Sequence, residues 1–382
     1  MLCKSWKSEK NPLPRCIPLL GIGALCVLLF LTAACKDNPN AGNTPLPAGE
    51  TRTFKDMLGN TVSVPKNTDR IALLGGPTGQ IAYLLGAQDK LCAVTGSIAT
   101  SELVILFDPS IKNRPAVRTV NGMVNIEKLL KSNPQLVIAG TIDGQIVQKK
   151  TNLPVAFFDD SISHNVSDIE KEIGFYATAF GAEERGRAYI HYLKKMIRFV
   201  KERTDSIPAK DRKVVFNGYS TSHLVTVGGD TFIQERLEIA GCKNAAESIK
   251  TSGKKEGLHA GLGEVSMEQV LAWNPDIIVI DMGSPEELIN DERWKSVKAV
   301  KRKKVFIQPA GVFIWDRPTA EAAVLHPLWL AKTAYPERFK DVSFTKEVQR
   351  FYREIFKFNL NEKQAQMVET GSFKNKIMRG IK

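Results

Sequence analysis

The stretch beginning at Asn125, "NIEKLLKSNPQLVI", occurs a second time from Ser266 as "SMEQVLAWNPDIIV". At a constant offset of 141 residues the two share Glu127 with Glu268, Leu130 with Leu271, Asn133 with Asn274 and Pro134 with Pro275. Each copy reads as a cap, a short helix, an Asn-Pro turn and a wholly apolar strand. A strand without polar alternation must be covered on both faces, as in a parallel sheet flanked by helices. Two copies far apart therefore predict two α/β lobes, each holding one unit in an equivalent place.

The flanking segments fit that plan. "RTFKDMLGNTVSVP" carries the turn pair Gly59-Asn60 between two strand-like runs and predicts a hairpin. "RIALLG" is a buried strand that runs into Gly75-Gly76-Pro77, followed by the helical "GQIAYLLGA" and further strands in "KLCAVTG" and "PVAFFDD". From Asp168 to Ser206 the pattern is helical apart from Gly181, and its second part is long and amphipathic. A second α/β series then follows through "KVVFNGYS", "FIQERLEIAG", "DIIVIDMG" and "KKVFIQPAGVFIWD". The expected division is a first lobe at 52–165, a helical segment at 166–206 and a second lobe with C-terminal helices at 207–382.

Ahead of these lobes, Lys4, Lys7, Lys10 and Arg15 precede the uncharged run Ile17 to Ala34, which is the layout of a secretory signal over residues 1–34. "LTAAC" then resembles a bacterial lipobox, with Thr32 where an aliphatic residue is usual, and makes Cys35 the expected lipidated residue. Eighteen apolar residues could also span a bilayer as a retained anchor. The Pro/Gly/Asn-rich tether at 35–51 favours the lipoprotein, exported and lipid-anchored to the cell membrane. Outside the leader and its end only Cys92 and Cys242 remain, too few for a disulfide framework or a paired metal site. The net charge of +12 is spread over "KKMIRFVKER", "KSVKAVKRKK" and the tail, the pattern of solvated helix faces, so no nucleic-acid partner is expected.

Together "TFKDMLGNTVSVPKNTDRIALLG", the paired repeat, "VGGDTFIQERLEIAGCKN" and "WDRPTAEAAVLHPLWLAKTAYPERF" resemble the class III periplasmic substrate-binding proteins over roughly residues 52–355. These serve ABC importers of ferric siderophores, haem, cobalamin and related metal chelates. The resemblance implies two Rossmann-like lobes with central parallel sheets, joined by one long interdomain helix at about Ala182 to Asp205. The ligand cleft lies between the lobes. It implies a monomer that captures a metal chelate, expected as a ferric complex, with haem, corrinoid or nickel chelates as alternatives. The partners implied are an ABC permease and its ATPase. By position, Glu127 and Glu268 would pair with permease arginines. Each also sits just after an N-cap, where the helix dipole alone favours a carboxylate. That local effect does not explain why both lobes carry the same residue there.

In open α/β sheets ligands bind beyond the carboxyl ends of the strands. The rule nominates Gly76, Pro77 and Thr78 after the first strand, Phe158 after "PVAF", Tyr219 after "VVFNG" and Met282 after "DIIVI". In "GVFIWDRP", Trp315 would offer a flat apolar face and Arg317 two donors for a carboxylate or catecholate, unless Asp316 simply pairs with Arg317. The histidines show no ligand spacing, and no G-x-S-x-G, P-loop or H-E-x-x-H occurs. No intrinsic cofactor, no metal site built from protein side chains and no enzymatic activity are expected.

Overall fold

In the first lobe, five parallel strands line up in the order Ala116–Arg118, Leu91–Thr95, Ile71–Leu73, Leu136–Ala139 and Val155–Phe157. The protein is known here from a computed structural model that describes residues 50–76, 78–118, 122–160, 165–252 and 261–373. Pro77 and Cys35 lie outside the described residues, as does the leader. An antiparallel hairpin of β1 (Thr51–Lys55) and β2 (Thr61–Pro65) opens the described chain. Its turn places Gly59 at φ 86°, a conformation that favours glycine.

The sheet itself comprises β3 (Ile71–Leu73), β4 (Leu91–Thr95), β5 (Ala116–Arg118), β6 (Leu136–Ala139) and β7 (Val155–Phe157). Helices α1 (Gly79–Leu84), α2 (Ile126–Lys131) and α3 (Thr141–Lys150) connect them. β3, β6 and β7 are buried throughout, as their unbroken apolar sequences require.

Two helices then leave the lobe. α4 (Val166–Phe180) starts at a capping box made by Asn165 and Asp168 and stops at Gly181, whose φ of 66° ends the helix. α5 (Glu183–Thr204) follows, 22 residues and therefore about 33 Å long. Its buried face, Tyr189, Leu193, Met196 and Val200, belongs to one continuous core that also holds Ile71 of the first lobe and Val215 of the second.

The second lobe repeats the design with four parallel strands in the order Lys243–Asn244, Val214–Gly218, Ile277–Ile280 and Val305–Ile307. These are β8 (Val214–Gly218), β9 (Lys243–Asn244), β10 (Ile277–Ile280) and β11 (Val305–Ile307). They are accompanied by α6 (Phe232–Ile239), α7 (Met267–Trp273) and α8 (Ala320–Ala334). α8 begins at the cap Thr319, so Pro327 and the buried His326 lie inside it. Among the described residues no helix is long and apolar enough to cross a membrane.

The sequence repeat becomes a repeat of structure. Asn125 caps α2 by accepting from Lys128 N at 2.9 Å, and Ser266 caps α7 by accepting from Gln269 N at 3.3 Å. Leu129 and its counterpart Val270 are both 0 % exposed. Asn133 and Asn274 both turn the chain with positive φ, 45° and 42°, which Asn tolerates better than most residues. β6 and β10 follow, each the strand beside the first strand of its parallel sheet.

Candidate functional site

The strand order reverses direction between β3 and β6 in the first lobe and between β8 and β10 in the second. Such switch points open a crevice at the carboxyl ends of the strands, where no connection crosses. The residues there are Gly75, Gly76, Thr78, Gly140 and Thr141 on one wall, and residues 219–223 and 281–283 on the other.

On the first wall, glycines draw the loops together. A methyl group at Gly75 would stand 2.0 Å from Thr78 Oγ1 and 2.9 Å from the Phe158 ring, and one at Gly140 would stand 3.3 Å from that ring. Gly75, Thr78 and Phe158 are thus one cluster, with Thr78 and Phe158 each 8 % exposed. A methyl at Gly76 would lie 3.3 Å from Ser97 Oγ and 3.6 Å from Phe313 of the second lobe, so the two walls meet at this point. Asp160 Oδ2 accepts from Thr141 N at 3.2 Å. Behind the wall Glu172 of α4 is 4 % exposed. Burial, reinforced by Asp159, pushes its carboxyl up to about 8.

The second wall is a charge cluster. Arg317 Nη1 lies 3.2 Å from Asp316 Oδ2, and 29 % of the Arg317 side chain stays exposed against 5 % for Asp316. Arg236, buried on α6, donates to the backbone oxygens of Trp315 and Arg317, each at 3.0 Å, and so fixes the loop. Burial, and then the charge of Asp316, push Asp281 up to about 7, while Arg317 pulls it down. Tyr219 is 3 % exposed beside the same charges, and burial raises its hydroxyl far above the usual range. Met282 is half-buried at the end of β10.

Trp315 departs from its expected place. It is 0 % exposed and packs against His326 and Phe344, with ring centroids 6.1 and 6.2 Å away. The loop doubles back through an Ala310–Ile314 bridge, and Trp315 N donates to Pro309 O at 3.1 Å. That reversal turns Trp315 into the core and leaves Arg317 reachable, so no indole face is presented to the crevice. Tyr219 is likewise more enclosed than a surface ligand contact would be.

Arg236 and Glu172 were missed from sequence, although a signal existed. Each is a charge within an apolar helical stripe, Arg236 between Phe232, Ile233 and Leu237, and Glu172 between Ile169, Ile173 and Tyr176. The net positive charge is also not gathered here. Arg236 and Arg317 stand with Asp159, Asp160, Asp281 and Asp316 at the strand ends. A groove lined by Val166, Lys194, Ile197 and Arg198 runs along α5, away from the crevice.

The helices of an α/β unit run antiparallel to its strands, so the start of α2 and of α7 lies at the same end as the crevice. Glu127 and Glu268 are both exposed there. Glu127 pairs with Lys131 at 2.7 Å, while Ala272 occupies the corresponding place near Glu268. The Ser266 hydroxyl and the backbone hold the Glu268 carboxyl below its usual range.

A family model described as periplasmic binding protein matches residues 71–311. The chain is 26 % identical over 333 residues to the molybdate-binding protein MolA of Haemophilus influenzae, covering 80 % of this chain and 91 % of that one. It is 23 % identical over 305 residues to the iron(3+)-hydroxamate-binding protein YxeB of Bacillus subtilis, covering 76 % and 88 %. A crystal structure of a periplasmic solute binding protein from Veillonella parvula shares the fold with a TM-score of 0.72. It is 23 % identical and covers 86 % of this chain and 100 % of that one.

Proposed function

The chain belongs to the periplasmic binding protein family, as a substrate-binding component of an ABC importer, and on that premise we propose that its cargo is an oxygen-rich metal chelate of low net charge. The observation that carries this reading is the mixed charge of the second wall. The exposed edge of Arg317, paired with Asp316, offers donors, while Asp281 and, across the crevice, Asp159 and Asp160 offer acceptors. A bare oxyanion would meet those carboxylates unfavourably. A complex such as a ferric hydroxamate siderophore, which presents both polar and apolar edges, suits them together with Phe158 and Met282. Gly76 and Thr78 would let backbone and hydroxyl approach it closely.

The same proposal places a lipid at Cys35 and the receptor at a membrane surface, held by the tether of residues 35–51. Glu127 and Glu268 would meet cations of the permease, one from each lobe. The lobes would extend over residues 52–165 and 207–382, with 166–206 between them.

Native mass spectrometry with metal analysis tests the cargo. The mature protein is offered a ferric hydroxamate, a ferric catecholate, haemin, cobalamin, nickel–histidine and molybdate. Retention of one ferric hydroxamate per chain is expected. Retention of molybdate alone would overturn the chelate reading and favour a second one. In that reading a protonated Asp281 joins Arg317 as a donor to an oxyanion, which the raised Asp281 carboxyl permits.

A further inference from the structure

Six large apolar side chains are exposed among the described residues, and two of them, Leu130 and Leu271, are counterparts in the repeat. They are 46 % and 39 % exposed. Scattered exposed leucines are ordinary and need no explanation. The same exposed leucine at the same place in both lobes is a different observation, because other positions of the two helices differ. Lys128 corresponds to Gln269, Lys131 to Ala272 and Ser132 to Trp273.

Each leucine stands three residues after the glutamate of its helix, on the same face and about 4.5 Å along the axis. Neither is needed inside, since the packing of each helix is supplied by Leu129 or Val270, both 0 % exposed. The other exposed apolar residues do not follow the two-fold pattern. Met123 and Ile142 are 76 % and 71 % exposed, but Glu264 and Gly283 stand at the corresponding positions of the second lobe.

We propose that Leu130 and Leu271 are apolar anchors for the permease, each entering a recess one helical turn from the cation that receives Glu127 or Glu268. The inference rests on the docking reading above and adds its non-electrostatic half. The partner it fits presents a cation and an apolar recess twice about a two-fold axis. The Glu127–Lys131 pair is no obstacle, because so exposed an ion pair is easily exchanged for another. Carboxylates alone would give a contact that salt screens away, whereas leucines buried beside them would hold at high ionic strength.

The test measures binding of the full-length receptor to its own permease–ATPase importer in nanodiscs, at low and at high salt. Leu130→Ser/Leu271→Ser is expected to weaken binding on the order of tenfold at both salt concentrations, with an unchanged melting temperature. Glu127→Gln/Glu268→Gln is expected to weaken it chiefly at low salt, and Leu58→Ser, at another exposed leucine, not at all. If the leucine variant binds within about twofold of wild type while the glutamate variant is impaired, the leucine inference fails and the docking reading stands. An equal loss in Leu58→Ser would also overturn the inference, as general surface stickiness. If neither double variant differs from wild type, the docking reading itself fails, and the inference with it.

Discussion

Gln80 Oε1, on α1 of the first lobe, accepts a hydrogen bond from the backbone N–H of Glu321, on α8 of the second, at 3.2 Å. Both side chains are 0 % exposed, and the N–H belongs to the first turn of α8, where no helical carbonyl is available to it. A second link runs alongside, from Ser101 Oγ to Val312 O at 3.2 Å. The loop that carries Arg317 is therefore held from the opposite lobe.

Gln80→Ala should leave that N–H buried and unpaired, at a cost of about 1–3 kcal/mol. Urea denaturation would show the loss, and amide exchange at Glu321 should quicken more than exchange in β3. Unchanged exchange at Glu321 would mean that the bond contributes nothing.

Glu172 makes stability depend on pH in a stated direction. Its carboxyl titrates near 4.5 when unfolded and at about 8 when folded. Between these values the folded chain holds a proton that the unfolded chain has lost. Its contribution is thus complete below pH 4.5 and is lost as pH rises towards 8. Glu172→Gln stays neutral throughout. The melting temperature of this variant relative to wild type should climb between pH 5 and pH 9, by the equivalent of about a few kcal/mol. A constant difference across that range would show that the carboxyl is not perturbed.

Trp315 and Arg317 should separate stability from binding. Trp315→Ala empties a fully buried site and should cost about 3–5 kcal/mol. Trp315→Phe should bind the metal complex found in the native mass spectrometry as wild type does. Arg317→Lys keeps the charge and loses the two-donor fork, and should weaken that binding about tenfold while the fold persists. Titration calorimetry beside thermal melts reads both quantities. Loss of affinity in Trp315→Phe at full stability would return the indole to the site.

The two Asn turns should respond unequally to alanine. Asn133→Ala loses tolerance of positive φ, worth about 1 kcal/mol. Asn274→Ala loses the same and also the bond from Lys298 N to Asn274 Oδ1 at 2.8 Å, so its cost should be larger. Glycine at Asn133 should restore most of the loss. Equal costs for the two alanine variants would show that the Lys298 bond is silent.

What was legible in the sequence was local. Caps at Asn125 and Ser266, turns at Asn133 and Asn274, and apolar strands after them all follow from near neighbours along the chain, so the repeated unit and the two-lobe plan could be read. The rule for strand ends names loops that lie at the switch points for the same reason. The direction a side chain takes from a loop was not legible. Trp315 and Arg317 are two residues apart, yet the doubling back at Ala310 and Ile314 sends one inward and leaves the other at the crevice. The buried charges Arg236 and Glu172 sat in plain helical stripes, but their partners come from other elements. Only the folded chain shows that Arg236 fixes the Arg317 loop and that Asp159 faces Glu172.

Near its start the bridge α5 is fastened to both lobes. Arg185 donates to Leu84 O on one side and to Ile355 O on the other, at 2.8 and 2.6 Å, and Tyr189 donates to Ala320 O at 2.7 Å. A strut tied in this way lets the outline of the molecule change little when cargo arrives. On the docking reading, empty and loaded receptors would then queue for the same gate with nearly the same key. Every empty copy would occupy a turn that a loaded one could have used, so import would slow when receptor is abundant and cargo scarce.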